Sequence, residues 1–307
     1  MKPLQGKVAV VAGGTRGAGR GIAMMLGKAG ATVYVTGRST RKHPSSMNRP
    51  ETIEETAEWV TAQGGTGIPV RVDHTVEAEV KRLFARIEAE QNGQLDILVN
   101  DVWGGDPLTE WGKTFWEHDL QKGLQMQKQA VHSHLLTSYY GAPLMVNRKQ
   151  GLIVEITDGT NYEYRGNLYY SLAKIGAIHL AQAMAQELKK HNITAVAVTP
   201  GFLRSEAMLA HFGVTEDNWQ EATKQDPHFI ASETPFYIGQ AIAALAGDAD
   251  VFKKTGQVLS SWELAKEYGF KDVDDRQPDW CAYFQATFGE KVDVMDLVQH
   301  FHEQRDE

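Results

Sequence analysis

The chain has 307 residues, a formal net charge of −8 and 42% apolar residues. This suits one large α/β domain or two small ones around a sizeable core, and the acidic balance argues against capture of a polyanion such as DNA by bulk attraction. Cys281 is the sole cysteine, so a disulfide framework and a thiolate metal cage are excluded.

No apolar run approaches the about 18 residues of a membrane span, and no secretory signal precedes the first strand. The expectation is a cytoplasmic protein with no nucleic-acid or membrane partner. Strand and helix patterns alternate from the start. Lys7 to Ala12 is a continuous apolar strand, as expected when both faces are covered. Arg20 to Ala29 is helix, and Ala31 to Thr36 is the second strand. Residues 40 to 50 form a loop, Glu51 to Gln63 a helix, and Gly67 to Asp73 a strand. Glu77 to Glu90 carries Val80, Leu83, Phe84 and Ile87 on one helical face. Leu95 to Asn100 is strand, followed by a long helix over Trp116 to Val146, broken near Gly123. Gly151 to Thr157, Ile193 to Thr199 and Gly256 to Ser260 are strands, with helices over Leu168 to Lys190 and Thr234 to Ala246. About seven strands with intervening helices imply an α/β fold with a Rossmann-type, doubly wound parallel sheet in three layers. The organisation expected is one domain over 1–263, interrupted by a lid insertion at 202–231. An extension over 264–307 would pack on the domain or on a partner subunit.

Two motifs carry chemistry. Gly13, Gly17 and Gly19 follow the first strand and open the first helix. Small residues there let backbone approach a pyrophosphate, and the helix N-terminus offers free N–H groups. The second strand ends at Thr36-Gly37-Arg38-Ser39, with Arg41 and Lys42 beyond and no carboxylate. With Arg16 in the glycine loop, this favours a phosphorylated ribose, hence NADP(H) over NAD(H). The bland reading is a solvated basic loop. Tyr170 and Lys174, at i and i+4, share one helix face. An ammonium beside a phenol, with an oxidised nicotinamide, would lower the phenol pKa from about 10 and make it a proton carrier.

With these residues in hand, the sequence resembles the short-chain dehydrogenase/reductase family over about residues 5 to 261. The matching pieces are Gly13/Gly17/Gly19, Asp73, Leu98-Val99-Asn100, Gly151-Leu152-Ile153-Val154, Tyr170-x3-Lys174, Pro200-Gly201 and Thr255-Gly256-Gln257-Val258. The resemblance implies a nicotinamide cofactor and a homodimer or homotetramer. It implies that Asp73 contacts adenine, Asn100 the adenosine ribose, and Pro200-Gly201 the nicotinamide, with Lys174 on the nicotinamide ribose. The cofactor-binding set expected is Gly13, Thr15, Arg16, Gly17, Ala18, Gly19, Arg38, Ser39, Asp73, His74, Asn100, Asp101, Val102, Tyr170, Lys174, Pro200 and Gly201.

The chain departs from the family at two positions. Asp158 stands where members carry a catalytic serine, with Thr157 and Thr160 as hydroxyl neighbours. Ala130 falls where members carry a catalytic asparagine. The catalytic set expected is Tyr170, Lys174, Asp158 and Thr157, with Asp158 or Thr157 orienting substrate. Asp158 as a turn cap is the plain alternative. No histidine pair has ligand spacing: His132 and His134 face apart, and His300 and His302 lie in an acidic tail, so no metal is expected. Trp103, Trp111, Phe115 and Trp116 after the fourth strand, with an apolar lid, suggest a partly hydrophobic substrate. The function expected is NADP(H)-dependent hydride transfer on a carbonyl or alcohol. A non-catalytic dinucleotide-binding regulator is the reading from another class, and a redox-neutral reaction such as epimerisation or dehydration is a third.

Overall fold

The computed structural model describes residues 2–45 and 47–289. Seven parallel strands form one sheet in the order β3-β2-β1-β4-β5-β6-β7. They are β1 Val8–Ala12, β2 Thr32–Gly37, β3 Thr66–Arg71, β4 Ile97–Asn100, β5 Gly151–Ile156, β6 Ile193–Thr199 and β7 Val258–Ser260. The expected doubly wound sheet is thus the fold observed. Strand order reverses between β1 and β4, so a crevice opens at their carboxyl ends.

Alternation explains why the central strands are apolar throughout. Ala9 and Val11 of β1 join the core under helices α1 (Gly17–Lys28), α2 (Ile53–Ala62) and α8 (Pro235–Gly247). Val8 and Val10 face the opposite core, under α3 (Glu77–Glu90) and α5 (Ser133–Arg148). Strand β3 is half-exposed and contains Pro69, which only an edge strand tolerates well.

The long helix expected over 116–146 needs correction. Helix α4 (Leu120–Gln127) starts where the Asp119 side chain accepts the N–H groups of Gln121 and Lys122, leaving Trp116 in the preceding loop. Gly123 does not break it; a side chain there would collide with the Tyr169 ring. The irregularity is instead a π turn at Lys128–His132.

Residues 202–231 fold as α7 (Glu206–Phe212) and two short 3-10 turns around Phe212, Trp219, Ala222 and Phe229. Helix α9 (Ser261–Tyr268) crosses position 263, and α10 (Trp280–Phe288) follows. Fully buried Arg204 bonds Glu216 at 2.6 Å and Asp274 at 2.9 Å, and the guanidiniums of Arg204 and Arg276 both lie over the Trp219 ring. These contacts bolt the insertion to the extension around a buried guanidinium whose two carboxylate partners are partly exposed. The remainder of the acidic tail, with His300 and His302, lies outside the described residues. No described helix is long and apolar enough to cross a membrane.

Helices α1 and α8 meet through backbone. A side chain at Gly21 would overlap the Pro235 carbonyl, and one at Gly239 would overlap that of Gly21. Gly21→Val should therefore lower stability in urea unfolding by at least about 1–3 kcal/mol; an unchanged midpoint would contradict this packing.

Candidate active site

Tyr170 is placed by the start of α6 (Leu168–Leu188). The Asn167 side chain accepts from the N–H groups of Tyr169 (3.0 Å) and Tyr170 (3.1 Å), which caps the helix and sets Tyr170 in its first turn. The loop before it is held by Arg165, whose guanidinium donates to the carbonyls of Asp158, Asn161 and Glu163. Gly159 has φ +75°, and Arg165 fills the space a side chain there would need.

This scaffold brings Tyr170 Oη to donate to Asp158 Oδ2 at 2.8 Å. Burial, then the Asp158 charge and that hydrogen bond, push the phenol well above the ordinary tyrosine value. The sequence expectation of a lowered pKa is corrected for this state. Lys174 Nζ lies over the Trp103 ring, 4.2 Å from its centre, and is 5.5 Å from the Tyr170 ring centre. Burial is the larger cause, and among the charges the bonded carboxylate contributes most.

Around this pair lies a cleft of about 650 Å³. It runs from Arg16, Arg38, Ser39 and Asp73 at one end to Asp158, Tyr170, Pro200 and Gly201 at the other. Gly13, Thr15, Gly17, Ala18, His74, Asp101, Val102, Thr157 and Lys174 also line it. Two expected residues do not. Gly19 packs against Gly13, where any side chain would overlap the Gly13 carbonyl. Asn100 is fully buried and donates to Ser138 Oγ (2.9 Å) and Glu155 Oε1 (2.7 Å). As the last residue of β4 it faces α5, so it braces the strands rather than the cleft wall. Thr157 Oγ1 donates to the Lys174 carbonyl at 2.7 Å, fixing α6 on β5.

Electrostatics divide the cleft. Arg38 lies 4.0 Å from Asp73, whose carboxyl is held low by Thr75 hydrogen bonds and Arg38 against the cost of burial. Arg41 is spent on Glu58 in a bidentate pair, and neither it nor Lys42 lines the cleft. Burial pushes Asp101 to about 7, opposed by Lys174, His134 and the Gly19 N–H. His74, enclosed between Thr36 and Thr137, is pushed down to about 3 by burial and stays neutral. Glu206 from α7 accepts the Gly17 N–H at 2.8 Å, so one donor of the glycine loop is held by this chain's own carboxylate.

Sequence reasoning missed several lining residues. Trp280 reaches the cleft from α10, and Asp106 anchors Trp103 through a 2.6 Å hydrogen bond. Gln129 lines it with Oε1 buried and unpartnered. Only the aromatic content of the tail hinted at the first. His134, buried against Glu155 at 2.6 Å, and exposed His132 do face apart. No cluster of three or more potential metal ligands occurs among the described residues.

Residues 7–213 match the family described as short chain dehydrogenase. The chain belongs to the short-chain dehydrogenase family. A family relative, "Dehydrogenase/reductase SDR family member 1" of Mus musculus, is 37% identical over 280 residues, covering 90% of this chain and 86% of its own. A solved short chain dehydrogenase of Mycobacterium thermoresistibile superposes with TM-score 0.75 at 22% identity, covering 95% of both chains. A 7α-hydroxysteroid dehydrogenase complexed with NADH and 7-oxo glycochenodeoxycholic acid gives TM-score 0.67 at 26% identity, over 84% of this chain and 93% of its own. The family is one of oxidoreductases that bind nicotinamide dinucleotides. The cleft fits such a group: its length spans the glycine loop to Tyr170, and the unpartnered Gln129 Oε1 awaits a donor.

The Tyr170 environment makes a measurable statement. Asp158→Asn removes the adjacent negative charge, so Tyr170 should ionise at lower pH. Phenolate absorbance in a difference titration of cofactor-free protein, with Tyr170→Phe as reference, checks it; superimposable curves would refute the assignment.

Proposed function

We propose that this protein is an NADP(H)-dependent oxidoreductase that moves a hydride between the nicotinamide and a carbonyl/alcohol substrate of partly hydrophobic character. The observation that carries the reading is the Tyr170–Asp158 hydrogen bond inside a dinucleotide-sized cleft, with Lys174 one helical turn along. The cofactor would supply or accept the hydride. The chain's own residues manage the proton. During alcohol oxidation Tyr170 Oη takes the substrate hydroxyl proton while its own proton passes to the Asp158 carboxylate. The phenol is never left as an isolated phenolate, which suits its raised pKa. In reduction the path reverses: a protonated Asp158 restores the Tyr170 proton as Tyr170 protonates the carbonyl oxygen. Asp158 is partly exposed. Lys174 would hold the ribose hydroxyls, and Thr157 keeps α6 in place.

Arg38 and Arg16, with Ser39 at the same end, support a phosphorylated ribose. Trp103, Phe202, Met208 and Trp280 give the other end an apolar wall. We further propose a homodimer or homotetramer that buries Leu120, Leu124, Leu135 and Leu172, all exposed in the single chain.

Consumption of NADPH and NADH against a panel of aldehydes and ketones tests the proposal. The parent protein should prefer NADPH, Arg38→Ser should erase that preference, and Tyr170→Phe should lose about 10²–10⁴ in rate. Equal rates for the parent and Tyr170→Phe would overturn the mechanism.

A further inference from the structure

Glu233 lies behind the cleft wall and touches three segments at once. It is 1% exposed. Its Oε2 accepts the Gly201 N–H at 2.8 Å and the Ser261 hydroxyl at 2.6 Å. Its backbone pairs with Phe202 and Arg204, so the base of the insertion is pinned to the same residue. One residue thus ties three segments: its side chain holds the turn after β6 and the start of α9, and its backbone holds the base of the insertion at 202–231. Gly201 itself lines the cleft, between Pro200 and Phe202. The carboxyl therefore sits one peptide unit from the space in front of that turn.

Among the described residues, no cation is found to act on this carboxyl. Its Oε1 is buried without a hydrogen-bond partner. Asp272 faces it and is itself committed to Thr234; the Tyr237 phenol feels Glu233, Asp272 and Asp279 together. The nearby Arg204 guanidinium is engaged by Glu216, Asp274 and Ser232. We propose that Glu233 is a positioning residue that couples a proton behind the cleft wall to the charge of the nicotinamide ring taken at the Pro200–Gly201 turn. The inference rests on the cofactor reading given above.

The physical basis is linkage. Burial, opposed by Ser261 and the Gly201 N–H and reinforced by Asp272, pushes the Glu233 carboxyl up to about 8. Near neutral pH the group is largely protonated. An oxidised nicotinamide carries a positive charge, and the reduced ring does not. A cation at the turn favours the ionised carboxylate, so binding the oxidised form expels the proton. By reciprocity, deprotonation tightens the oxidised form and leaves the reduced form little changed. Gly201 transmits this locally, because its N–H donates to Glu233 while the residue lines the cleft.

Dissociation constants for NADP+ and NADPH, measured by fluorescence or calorimetry on the intact protein from pH 6 to 9.5, test this without turnover. In the parent protein NADP+ should bind several-fold more tightly as pH rises through about 8, with NADPH nearly flat. Glu233→Gln should remove the step near pH 8 while still binding both; any step near 7 from the cleft-lining Asp101 remains in both proteins. Ser261→Ala deletes one donor to the carboxylate, so it should move the NADP+ transition to higher pH, which keeps the idea testable if Glu233→Gln folds poorly. Identical NADP+ profiles in the parent and either variant would overturn the coupling. Failure of the parent to bind either dinucleotide at any pH would instead overturn the cofactor reading.

Discussion

The site depends on how closely two backbone turns approach each other at the reversal of strand order. Gly13, after β1, has φ +94°, and a side chain there would run into the carbonyl of Asp101, after β4. Gly19 closes the same contact from α1, against Gly13 and the Asp101 carboxylate. Only glycine permits the φ of Gly13 and this spacing together. The glycine loop is therefore as much a packing requirement as an invitation to phosphate. It seats α1 low on the sheet, opens the crevice beside it, and holds Asp101 where burial raises its carboxyl.

The Tyr170 end of the cleft is built by a different device. A capped helix start and an arginine-stapled loop meet so that the Tyr170 phenol faces the Asp158 carboxylate. A serine at position 158 would offer a hydroxyl to the substrate; an ionised aspartate can only accept. In the proposed relay the carboxylate, bonded to the phenol, changes the proton's route rather than abolishing it. Burial and Asp158 raise the phenol's proton affinity, and the positive charge of the proposed oxidised cofactor would act against them. The insertion and extension close the far wall as one unit through Arg204, Asp274 and Trp219.

Much of this was legible in the chain itself. Central strands buried on both faces read as unbroken apolar runs, and α3 runs from Glu77 to Glu90 as its periodicity indicates. The residues at the strand ends that face the cleft followed from the family's motif order. What escaped was whatever depends on contacts between distant segments. Residue alternation at the end of β4 turns Asn100 toward Glu155, a partner 55 positions away. The π turn at Lys128–His132 keeps helical composition and leaves no local mark. The link from Arg204 to Asp274 spans 70 positions and obeys no pattern. The direction of the Tyr170 shift required knowing that the phenol is buried and bonded to Asp158, whereas helical spacing pointed to Lys174.

A crystal structure of the protein with bound NADP(H) tests the central claim most directly. The account predicts the nicotinamide ring at the Pro200–Gly201 turn, with its C4 and Tyr170 Oη close enough for one substrate carbonyl to touch both. A dinucleotide seated elsewhere, or a Tyr170 side chain turned from the ring, would contradict it.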